Sequence, residues 1–382
     1  MKVFVAGASR AIGRPLLKPP TRVGHEVVCM VWSAKGACRL RQLGAEPARP
    51  LAVLVADRGA SLITDDRRGG GAVKAVLVSE FGAPGVLQVV DVPKPRPGPS
   101  QVLVRVKAAG VGPWDAWIRE GKSALPQPLP LIPGSDISGI VEGTGSAAGA
   151  FRPGDEVYGV TNRRFTGGYA EYALAEAGTV APKPTTLDHV QAASVPVVAV
   201  TAWQMLFEHA NLSAGNSCLV HGAAGNVGAY TVQLARQKGI TVIATGSAND
   251  AGYLRDLGAD QVIDYRTTRF ETVVKNADAV IDLVGGETAD RSYGVLKPGG
   301  ALVSAVVFEP SQEKARQHGV RAVFMLVDVT TERLARITDL LDRGALKTSV
   351  GSVLPLEEAL TAHRMLGGAP HERGKIVLKV AD

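Results

Sequence analysis

The chain has few cysteines, only three in 382 residues. Cys29, Cys38 and Cys218 are odd in number and are spaced neither as a metal knuckle nor as a disulfide framework. This scarcity argues against a disulfide-stabilised secreted domain and favours a reducing compartment. We therefore predict a cytoplasmic protein.

The chain also lacks long hydrophobic runs. The longest apolar stretches, such as 192–202 with Pro196 inside it, stay well short of the roughly 18 apolar residues of a membrane-spanning helix. The first residues do not show the charged, apolar and small-residue regions of a secretory signal. We expect no transmembrane segment and no membrane partner.

Aromatic residues and clustered charge are sparse as well. Aromatic side chains make up 5% of the chain, and the net charge of +6 is spread so evenly that its densest cluster is Arg67 and Arg68. A basic stripe with interleaved aromatic rings, as in nucleic-acid-binding surfaces, is not evident, so no nucleic-acid partner is expected. The length and the 46% hydrophobic content predict a globular protein of two or three domains.

Glycine, in contrast, is abundant, and three glycines recur at a spacing of three residues. Gly222, Gly225 and Gly228 follow the apolar segment 218–220 and open a predicted helix. Such a turn lets a phosphate approach backbone N–H groups at the positive end of the helix. A second strand predicted over 241–245 completes the spacing of a βαβ unit. We predict a dinucleotide site here, because a helix that merely packs on a sheet would explain Gly228 but not the other two glycines.

The end of that second strand bears on the choice of cofactor. An acidic residue there would accept both ribose hydroxyls of NADH and repel a 2′-phosphate, but Thr245, Gly246 and Ser247 occupy the position. This favours NADPH over NADH. Arg266, next to Tyr265, could supply positive charge to the 2′-phosphate. The carboxylate of Asp250 would oppose binding of that phosphate.

The first 57 residues begin like another nucleotide-binding domain, with a strand, a glycine turn, a helix start and a second strand. Arg10 occupies the turn, and Lys18-Pro19-Pro20 falls where the helix should continue. An interior proline costs about 3 kcal/mol, so the unit is predicted to be a partial βαβ fragment. A linker over residues 58–72, which contains three consecutive glycines, follows it.

Over residues 1–57 the chain resembles the first βαβ unit of an atypical short-chain dehydrogenase or epimerase. The Tyr-x-x-x-Lys catalytic pair of that family has one formal match, Tyr293 and Lys297, which runs directly into Pro298-Gly299-Gly300. The pair would lie at a turn that enters a strand, not on an active-site helix. We therefore disfavour an epimerase function and expect residues 1–70 to be dispensable for activity.

Along the rest of the chain the predicted secondary structure changes twice. Short alternating strands separated by proline and glycine extend from Val73 to about residue 195, helices and strands alternate over 196–325, and 326–382 is β-rich again. The pattern predicts an α/β fold in which a doubly wound parallel sheet is inserted into a split β-rich domain.

Several sequence segments support a family resemblance. They read A-A-G-V-G-P-W-D-A-W-I-R-E-G, P-G-S-D-I-S-G-I-V, F-R-P-G-D-E-V-Y-G, G-G-Y-A-E-Y and V-P-V-V-A-V-T-A-W, and the glycine turn follows them. Through them residues 73–382 resemble the zinc-free, zeta-crystallin-like quinone oxidoreductase branch of the medium-chain dehydrogenase/reductase superfamily. The resemblance implies a Rossmann NADP-binding domain inserted in a GroES-like catalytic domain. It also implies a homodimer in which the strand near 301–308 pairs with its partner's copy across an exposed sheet edge.

The resemblance also suggests what chemistry is available. Zinc-dependent members would carry a Cys and a His where this chain has Gly112 and Ser135, and a structural cluster of four cysteines is missing. Without a metal the acceptor must already be electrophilic, which points to quinones or α,β-unsaturated carbonyl compounds. The sequence does not decide between a quinone reductase and an enoyl or alkenal reductase. A cofactor-bound protein without catalytic activity is the alternative.

The candidate catalytic residues are Asp115, Trp117 and Thr201. For Asp115 a capping role in a turn is an equal alternative, and Trp117, like Trp114, could instead belong to the core of the β-rich domain. His221, inside the glycine turn, is expected to be structural. By position in the family, Ser304 and Val306 would hold the nicotinamide carboxamide. The residues predicted to bind the cofactor are Thr201, Ala224, Gly225, Asn226, Val227, Gly228, Ser247, Tyr265, Arg266, Ser304, Val306, Phe324 and Lys375.

Overall fold

A computed structural model describes residues 2–6, 26–30, 46–48, 71–149, 151–306 and 310–381. The chain divides into two compact units, Met1–Gly69 and Gly70–Asp382. The division falls inside the predicted linker 58–72.

The first unit contains a small parallel sheet. Its strands are β1 (Lys2–Ala6), β2 (Glu26–Met30) and β3 (Glu46–Ala48), paired in that order. The first two are the strands that the sequence predicts, and the third was not predicted. The predicted turn at Arg10 and the interruption of the helix at 18–20 lie outside the described residues.

The β-rich part of the second unit is formed by two separate stretches of chain. Its strands are β4 (Ala72–Val78), β5 (Leu87–Pro93), β6 (Gln101–Val111), β7 (Asp136–Thr144), β8 (Glu156–Val160), β9 (Tyr172–Glu176), β10 (Val180–Pro182), and later β17 (Val350–Pro355) and β18 (Lys375–Lys379). One sheet has the order β10-β8-β7-β6-β18-β17, with β9 also paired to β6, and β4 and β5 form a separate hairpin. Because β18 from the C-terminal stretch pairs directly with β6, the sheet is split in sequence, as the pattern predicts.

Between these two stretches the chain forms a parallel sheet of six strands. They are β11 (Ser217–His221), β12 (Thr241–Gly246), β13 (Gln261–Asp264), β14 (Ala277–Asp282), β15 (Leu296–Ser304) and β16 (Arg321–Phe324). The spatial order β13-β12-β11-β14-β15-β16 is the 3-2-1-4-5-6 order of the Rossmann fold. In β11, Cys218, Leu219 and Val220 are all fully buried, which explains why this strand reads as a continuous apolar run.

The helices connect and cover these strands. They are α1 (Pro113–Arg119), α2 (His189–Ala193), α3 (Pro196–Trp203), α4 (Asn226–Gln237), α5 (Ala251–Leu257), α6 (Phe270–Val273), α7 (Gly286–Ser292), α8 (Gln312–His318), α9 (Thr331–Asp342) and α10 (Ala359–Leu366). A π-helical turn, Gln204–His209, continues α3, and short 3-10 turns occur at Pro84–Val86, Ala177–Thr179, Ala248–Asp250, Tyr293–Val295 and Leu356–Glu358. None of the helices in the described ranges is long and apolar enough to cross a membrane.

The start of α3 is tied to the β-rich sheet by a buried carboxylate. Asp136, the first residue of β7, is fully buried and accepts a hydrogen bond from the backbone N–H of Val197 at 3.1 Å. An acidic side chain at a helix N-terminus is favourable because it satisfies a free N–H group and complements the helix dipole. The contact fixes α3 between the two sheets, where the candidate site lies.

The prediction of which strand forms the exposed edge of the parallel sheet is wrong. We expected the strand near 301–308 to lie at the exposed edge of the parallel sheet, but β15 is paired on both sides, with β14 and with β16. After β15 the chain passes through α8 and returns as β16, whose short apolar segment was not recognised as a strand. The edge on this side is therefore β16.

Candidate active site

The glycine turn has the backbone shape that a phosphate site requires. Gly222 has a φ of +70°, a conformation that other residues rarely adopt, and a Cβ at Gly228 would lie 2.3 Å from the carbonyl oxygen of Gly222. Helix α4 begins at Asn226, and its N-cap, Gly225, makes no side-chain capping bond. The first N–H groups of a 12-residue helix are thus left without a capping side chain, and the turn fits the diphosphate of a dinucleotide.

A cavity of about 320 Å³ starts at this turn and extends to α1. Its lining is mostly aliphatic and aromatic, with few polar side chains. The lining residues are Pro113, Trp114, Trp117, Ile118, Ser123, Ala124, Leu125, Phe165, Val197, Val198, Thr201, Gly222, Gly225, Asn226, Val227, Gly228, Leu283, Ala305, Val306, Phe324, Met325, Leu326, Val327 and Lys375. A mostly apolar lining with a few polar groups is typical of small-molecule sites.

The two tryptophans of α1 line this cavity, so the pocket interpretation of Trp114 and Trp117 holds over the core interpretation. The position of Trp114 depends on Gly112, because a Cβ at residue 112 would lie only 2.3 Å from Cη2 of the indole. The absence of a side chain at 112 and the presence of the indole at 114 are therefore one structural feature.

Asp115 lies behind the cavity wall and is not among the residues that line it. It is fully buried, and its Oδ2 accepts hydrogen bonds from the Gly112 N–H at 2.8 Å and from the Tyr169 hydroxyl at 2.9 Å. Burial raises the pKa of Asp115 to about 7, against the opposing effects of the Gly112 N–H and of Lys375. These bonds match the capping role at the start of α1 that we weighed against catalysis, while Oδ1 has no hydrogen-bond partner among the described residues.

Thr201 lies on α3 and lines the cavity, as the sequence predicts for a residue near the nicotinamide. Its hydroxyl donates to the carbonyl of Val197, one turn earlier, at 2.7 Å. The oxygen keeps its lone pairs, so Thr201 can accept a further hydrogen bond from a ligand.

Of the residues predicted to bind the cofactor at the end of β15 and beyond, some line the cavity and others do not. Val306 and Phe324 line the cavity, whereas Ser304 is fully buried beneath it and donates to Asp282 at 2.8 Å. Ala224 packs against the core and is not among the lining residues. Ser304 and Ala224 thus support the walls of the site from behind.

One of the residues expected around the 2′-phosphate, Ser247, binds a carboxylate, that of Asp250. Its Oδ2 accepts bonds from the N–H and hydroxyl of Ser247 at 2.9 and 2.6 Å, and its Oδ1 accepts one from Arg373 at 2.6 Å. Burial raises the pKa of Asp250, but the Ser247 bonds and the charges of Arg373 and Arg266 outweigh it and hold the pKa below its usual range. The negative charge of Asp250, which would otherwise repel a 2′-phosphate, is therefore balanced by positive charge within the protein.

The other two predicted residues lie next to this group. Tyr265 is 59% exposed, and the Arg266 guanidinium lies 5.8 Å from the centre of its ring. Arg373 was not predicted, because it precedes β18 and lies 123 residues from Asp250 in sequence. Only the fold brings Arg373 to the end of β12.

Lys375 lies at the start of β18 and is 1% exposed. Its Nζ is 3.0 Å from Asp136 Oδ2 and 4.1 Å from the centre of the Trp114 ring. Burial raises the pKa of Asp136, and the charge of Lys375 opposes this rise. The sequence predicted Lys375 as a phosphate ligand but did not predict its pairing with Asp136.

His221 is buried under the turn, as expected for a structural residue. Its two ring nitrogens hydrogen-bond with Thr245 at 3.1 Å and Ser292 at 3.0 Å, and the ring packs edge-to-face on Phe270. Burial lowers the pKa of His221 to about 4. The side chain therefore links β11 to β12 and to helices α6 and α7, and it is neutral at physiological pH.

Sequence reasoning also missed Phe165. It lines the cavity with a φ of 61°, a backbone conformation that costs a non-glycine residue on the order of 1–3 kcal/mol. Its N–H donates to the carbonyl of Asn162 at 3.1 Å, and the Asn162 side chain holds the same turn through Thr166. The Asn-Arg-Arg-Phe-Thr segment that forms this turn carries no pattern by which a pocket residue could be recognised.

Within the described ranges the structure contains no group of three or more His, Cys, Asp and Glu side chains able to hold a metal ion. Positions 112 and 135, where a metal-dependent relative would carry ligands, have no side chain and a hydroxymethyl group. The donor set at this place does not fit zinc, which prefers thiolate, imidazole and carboxylate ligands.

Two family models match the chain: "Alcohol dehydrogenase GroES-like domain" over residues 98–185 and "Zinc-binding dehydrogenase" over 257–378. The quinone oxidoreductase of Mus musculus is 34% identical over 325 residues, which cover 80% of this chain and 97% of that protein. The solved quinone oxidoreductase of Coxiella burnetii is 36% identical, with a TM-score of 0.75, over 81% of this chain and 100% of that one. A mycobacterial protein solved in complex with NADPH is 32% identical, with a TM-score of 0.72, over 80% of this chain and 99% of that one.

Proposed function

Since the chain belongs to the quinone oxidoreductase family of the medium-chain dehydrogenase/reductase superfamily, we propose that this oxidoreductase reduces a quinone or an α,β-unsaturated carbonyl compound with NADPH and without a metal. The observation that carries the proposal is the continuous apolar cavity between the glycine turn of α4 and the tryptophans of α1. A cofactor anchored at the turn and a flat acceptor against α1 would share one dry cleft.

The residues around the cavity suggest how this chain would hold the cofactor. The uncapped N-terminus of α4 would bind the diphosphate, and Thr201 and Val306 would lie beside the nicotinamide. Arg266 and Arg373, on either side of Asp250, would bind the 2′-phosphate. When bound, the cofactor supplies a hydride, and the protein contributes position and exclusion of water.

Metal independence is proposed from the side chains at the site. Gly112 and Ser135 offer no zinc ligand, so the polarisation that a Lewis acid gives to an ordinary ketone would be missing. A quinone or enone depends less on polarisation by a Lewis acid, because its conjugated system spreads the negative charge that hydride addition leaves. This argument favours conjugated acceptors over simple ketones and leaves quinone and enone both open.

A homodimer and a cytoplasmic location remain predictions. The short exposed strand β16 is the edge of the sheet at which a second copy of the chain would pair, and exposed backbone at a sheet edge favours such pairing. The cytoplasmic location rests on the sparse, scattered cysteines.

The proposal is tested by following NADPH and NADH absorbance in metal chelator with 1,4-benzoquinone, a naphthoquinone, an alkenal and a simple ketone. We expect chelator-resistant oxidation of NADPH with the quinones or the alkenal and none with the ketone. NADPH binding without oxidation by any acceptor would favour a non-catalytic protein. Loss of activity in chelator, restored by zinc, would contradict metal independence.

A matched pair of variants makes this test specific for the glycine turn. Gly225 has an ordinary φ, and a Cβ there would lie 3.3 Å from Gly222 O, so Gly225→Asp and Gly225→Asn require the same small shift of the turn. The two side chains have nearly the same size and both cap helices well, but only Asp brings a negative charge to the proposed phosphate site. NADPH affinity should fall much further in Gly225→Asp. Equal affinities in the pair would contradict phosphate binding at this turn.

A further inference from the structure

Among the described residues that line the apolar cavity, only Lys375 carries a charged side chain. A lysine is rarely this deeply buried unless it is paired or has a function, because removing an ammonium group from water is costly. Its counter-ion, Asp136, is also fully buried and is already engaged by the N–H of Val197. The cavity therefore combines a wide apolar surface with one buried ion pair at its edge.

The ion pair leaves hydrogen-bonding capacity unused. Nζ of Lys375 and Oδ2 of Asp136 are 3.0 Å apart, and neither atom has another hydrogen-bond partner among the described residues, although an ammonium group has three donors. The opposite side of Nζ faces the Trp114 ring, 4.1 Å from its centre. Unmade hydrogen bonds of buried charged groups cost free energy, so this ammonium group is well suited to receive an oxygen ligand.

This group lies at the positions where a metal-dependent relative would carry its ligands. A Cβ at Gly110 would lie 3.1 Å from Lys375 Cε, and one at Gly112 would meet the Trp114 indole. Ser135 precedes Asp136 directly, and its buried hydroxyl also lacks a partner among the described residues. The lysine and the indole thus fill the region next to positions 112 and 135.

We propose that Lys375 supplies the positive charge that a metal would supply, by donating a hydrogen bond from Nζ to the carbonyl oxygen of the acceptor as that oxygen becomes an anion. The inference rests on the proposed function and deepens it. The reduced cofactor would supply the hydride that forms a C–H bond on the acceptor, and the electron pair of the carbonyl system would pass to its oxygen. A proton from Nζ forms the O–H bond, and a proton from water returns to Nζ.

Asp136 and Trp114 would act as positioning residues. Asp136 holds the ammonium at the floor of the site, and the indole confines it on the side of α1. Nζ itself is covered in this structure, whereas the cavity is lined by the lysine side chain. Rotation about the terminal bonds of the unbranched stem would turn Nζ to the acceptor.

The competing role for Lys375 is the cofactor's diphosphate. Asn226, at the start of α4, lines the main cavity and also a small adjoining pocket in which Lys375 takes part. Both roles use an ammonium group and an oxyanion, so the experiment must separate the acceptor oxygen from the phosphate.

The first arm of the test uses 4-nitrophenol, whose ionisation is visible by absorbance and needs neither cofactor nor turnover. Next to Lys375 the bound phenol should have a pKa lower than that of the free phenol by at least about one unit. The shift should disappear in Lys375→Met and persist in Lys122→Met, a control in which the replaced lysine is 71% exposed. Absence of binding, absence of a shift in the unmodified protein, or an equal shift in Lys375→Met would overturn the proposal.

The second arm compares kcat with the dissociation constant of NADPH. Loss of an oxyanion donor typically lowers kcat about 10²-fold, so Lys375→Met should show a drop of this order, with NADPH affinity changed less than about twofold. Lys375→Arg keeps the charge and should recover part of kcat. A tenfold or greater loss of NADPH affinity with an unchanged nitrophenol shift would assign Lys375 to the phosphate instead. If no acceptor turns over but the nitrophenol shift is present, the proposed function fails while the oxyanion site stands.

Discussion

Gly112→Ala tests whether the indole of Trp114 sets the shape of the acceptor pocket. The added Cβ would lie 2.3 to 2.6 Å from three atoms of the six-membered ring of the indole, well inside van der Waals contact. The backbone itself tolerates the change, because Gly112 has a φ of −135°, which alanine adopts freely. The whole effect must therefore come from displacement of the indole.

The magnitude follows from the directions in which the indole can move. Overpacking a closed core costs roughly 1–3 kcal/mol, but Trp114 borders an open cavity of about 320 Å³. The ring can turn into the cavity, so we expect a loss of about 1 kcal/mol in the free energy of unfolding. The displaced ring would then occupy acceptor volume, and KM for a naphthoquinone should rise by tenfold or more.

The measurements are urea-induced unfolding and steady-state kinetics. Gly143→Ala is the control, since a Cβ at Gly143, on β7, meets no atom within 4 Å. A second variant, Gly112→Ala with Trp114→Leu, should be more stable than the sum of the two single effects allows, because the clash is gone. Unchanged stability and unchanged KM in Gly112→Ala, or strict additivity in the double variant, would refute the reasoning.

Three further predictions concern the cofactor, pH and the first unit of the chain. Arg373→Ala should raise the dissociation constant of NADPH about tenfold and leave that of NADH nearly unchanged, as measured by fluorescence titration, since only NADPH carries the phosphate that Arg373 is proposed to bind; an equal effect on both cofactors would contradict this role. The pKa of His221 is lowered to about 4 in the folded protein, so the unfolded chain binds more protons between that value and 6.5, and the free energy of unfolding should fall as pH decreases through this window. In urea titrations at pH 7 and pH 4.5, His221→Gln should reduce this fall, and an identical pH dependence in the variant would argue against the buried neutral imidazole. A chain of residues 71–382 should retain the turnover of the full protein with quinone acceptors, because it contains all described residues of the cavity; a folded truncated chain without turnover would show that residues 1–70 contribute to activity.

Local sequence pattern was sufficient for β11, for helix α4 and for the glycine turn between them. The continuous apolar run of β11, the three spaced glycines and the following helix are encoded within about 20 residues, and their spacing has one common structural solution. These features needed no knowledge of distant contacts.

The pairing of residues across the chain could not be predicted in this way. Lys375 and Asp136 are separated by 239 positions, and nothing near either residue in sequence indicates the other. The Arg373–Asp250 contact likewise joins residues that are distant in sequence, and the position of β16 at the edge of the sheet is also not indicated by its local sequence. Each arises from the split of the β-rich domain or from the order of the strands, which is fixed only when the whole fold forms.

The residues at positions 112, 114, 136 and 375, around the proposed acceptor pocket, constrain one another physically. A side chain at residue 112, a metal ligand included, would overlap the indole of Trp114 and would have to displace that ring into the cavity. A cation placed beside Asp136 would in turn meet the buried ammonium of Lys375 at short range, where like charges repel strongly. The indole and the ammonium therefore do more than occupy space beside positions without ligands. Together they give this pocket a flat apolar face and a buried positive charge, the two features on which the proposed reduction of a conjugated carbonyl acceptor rests.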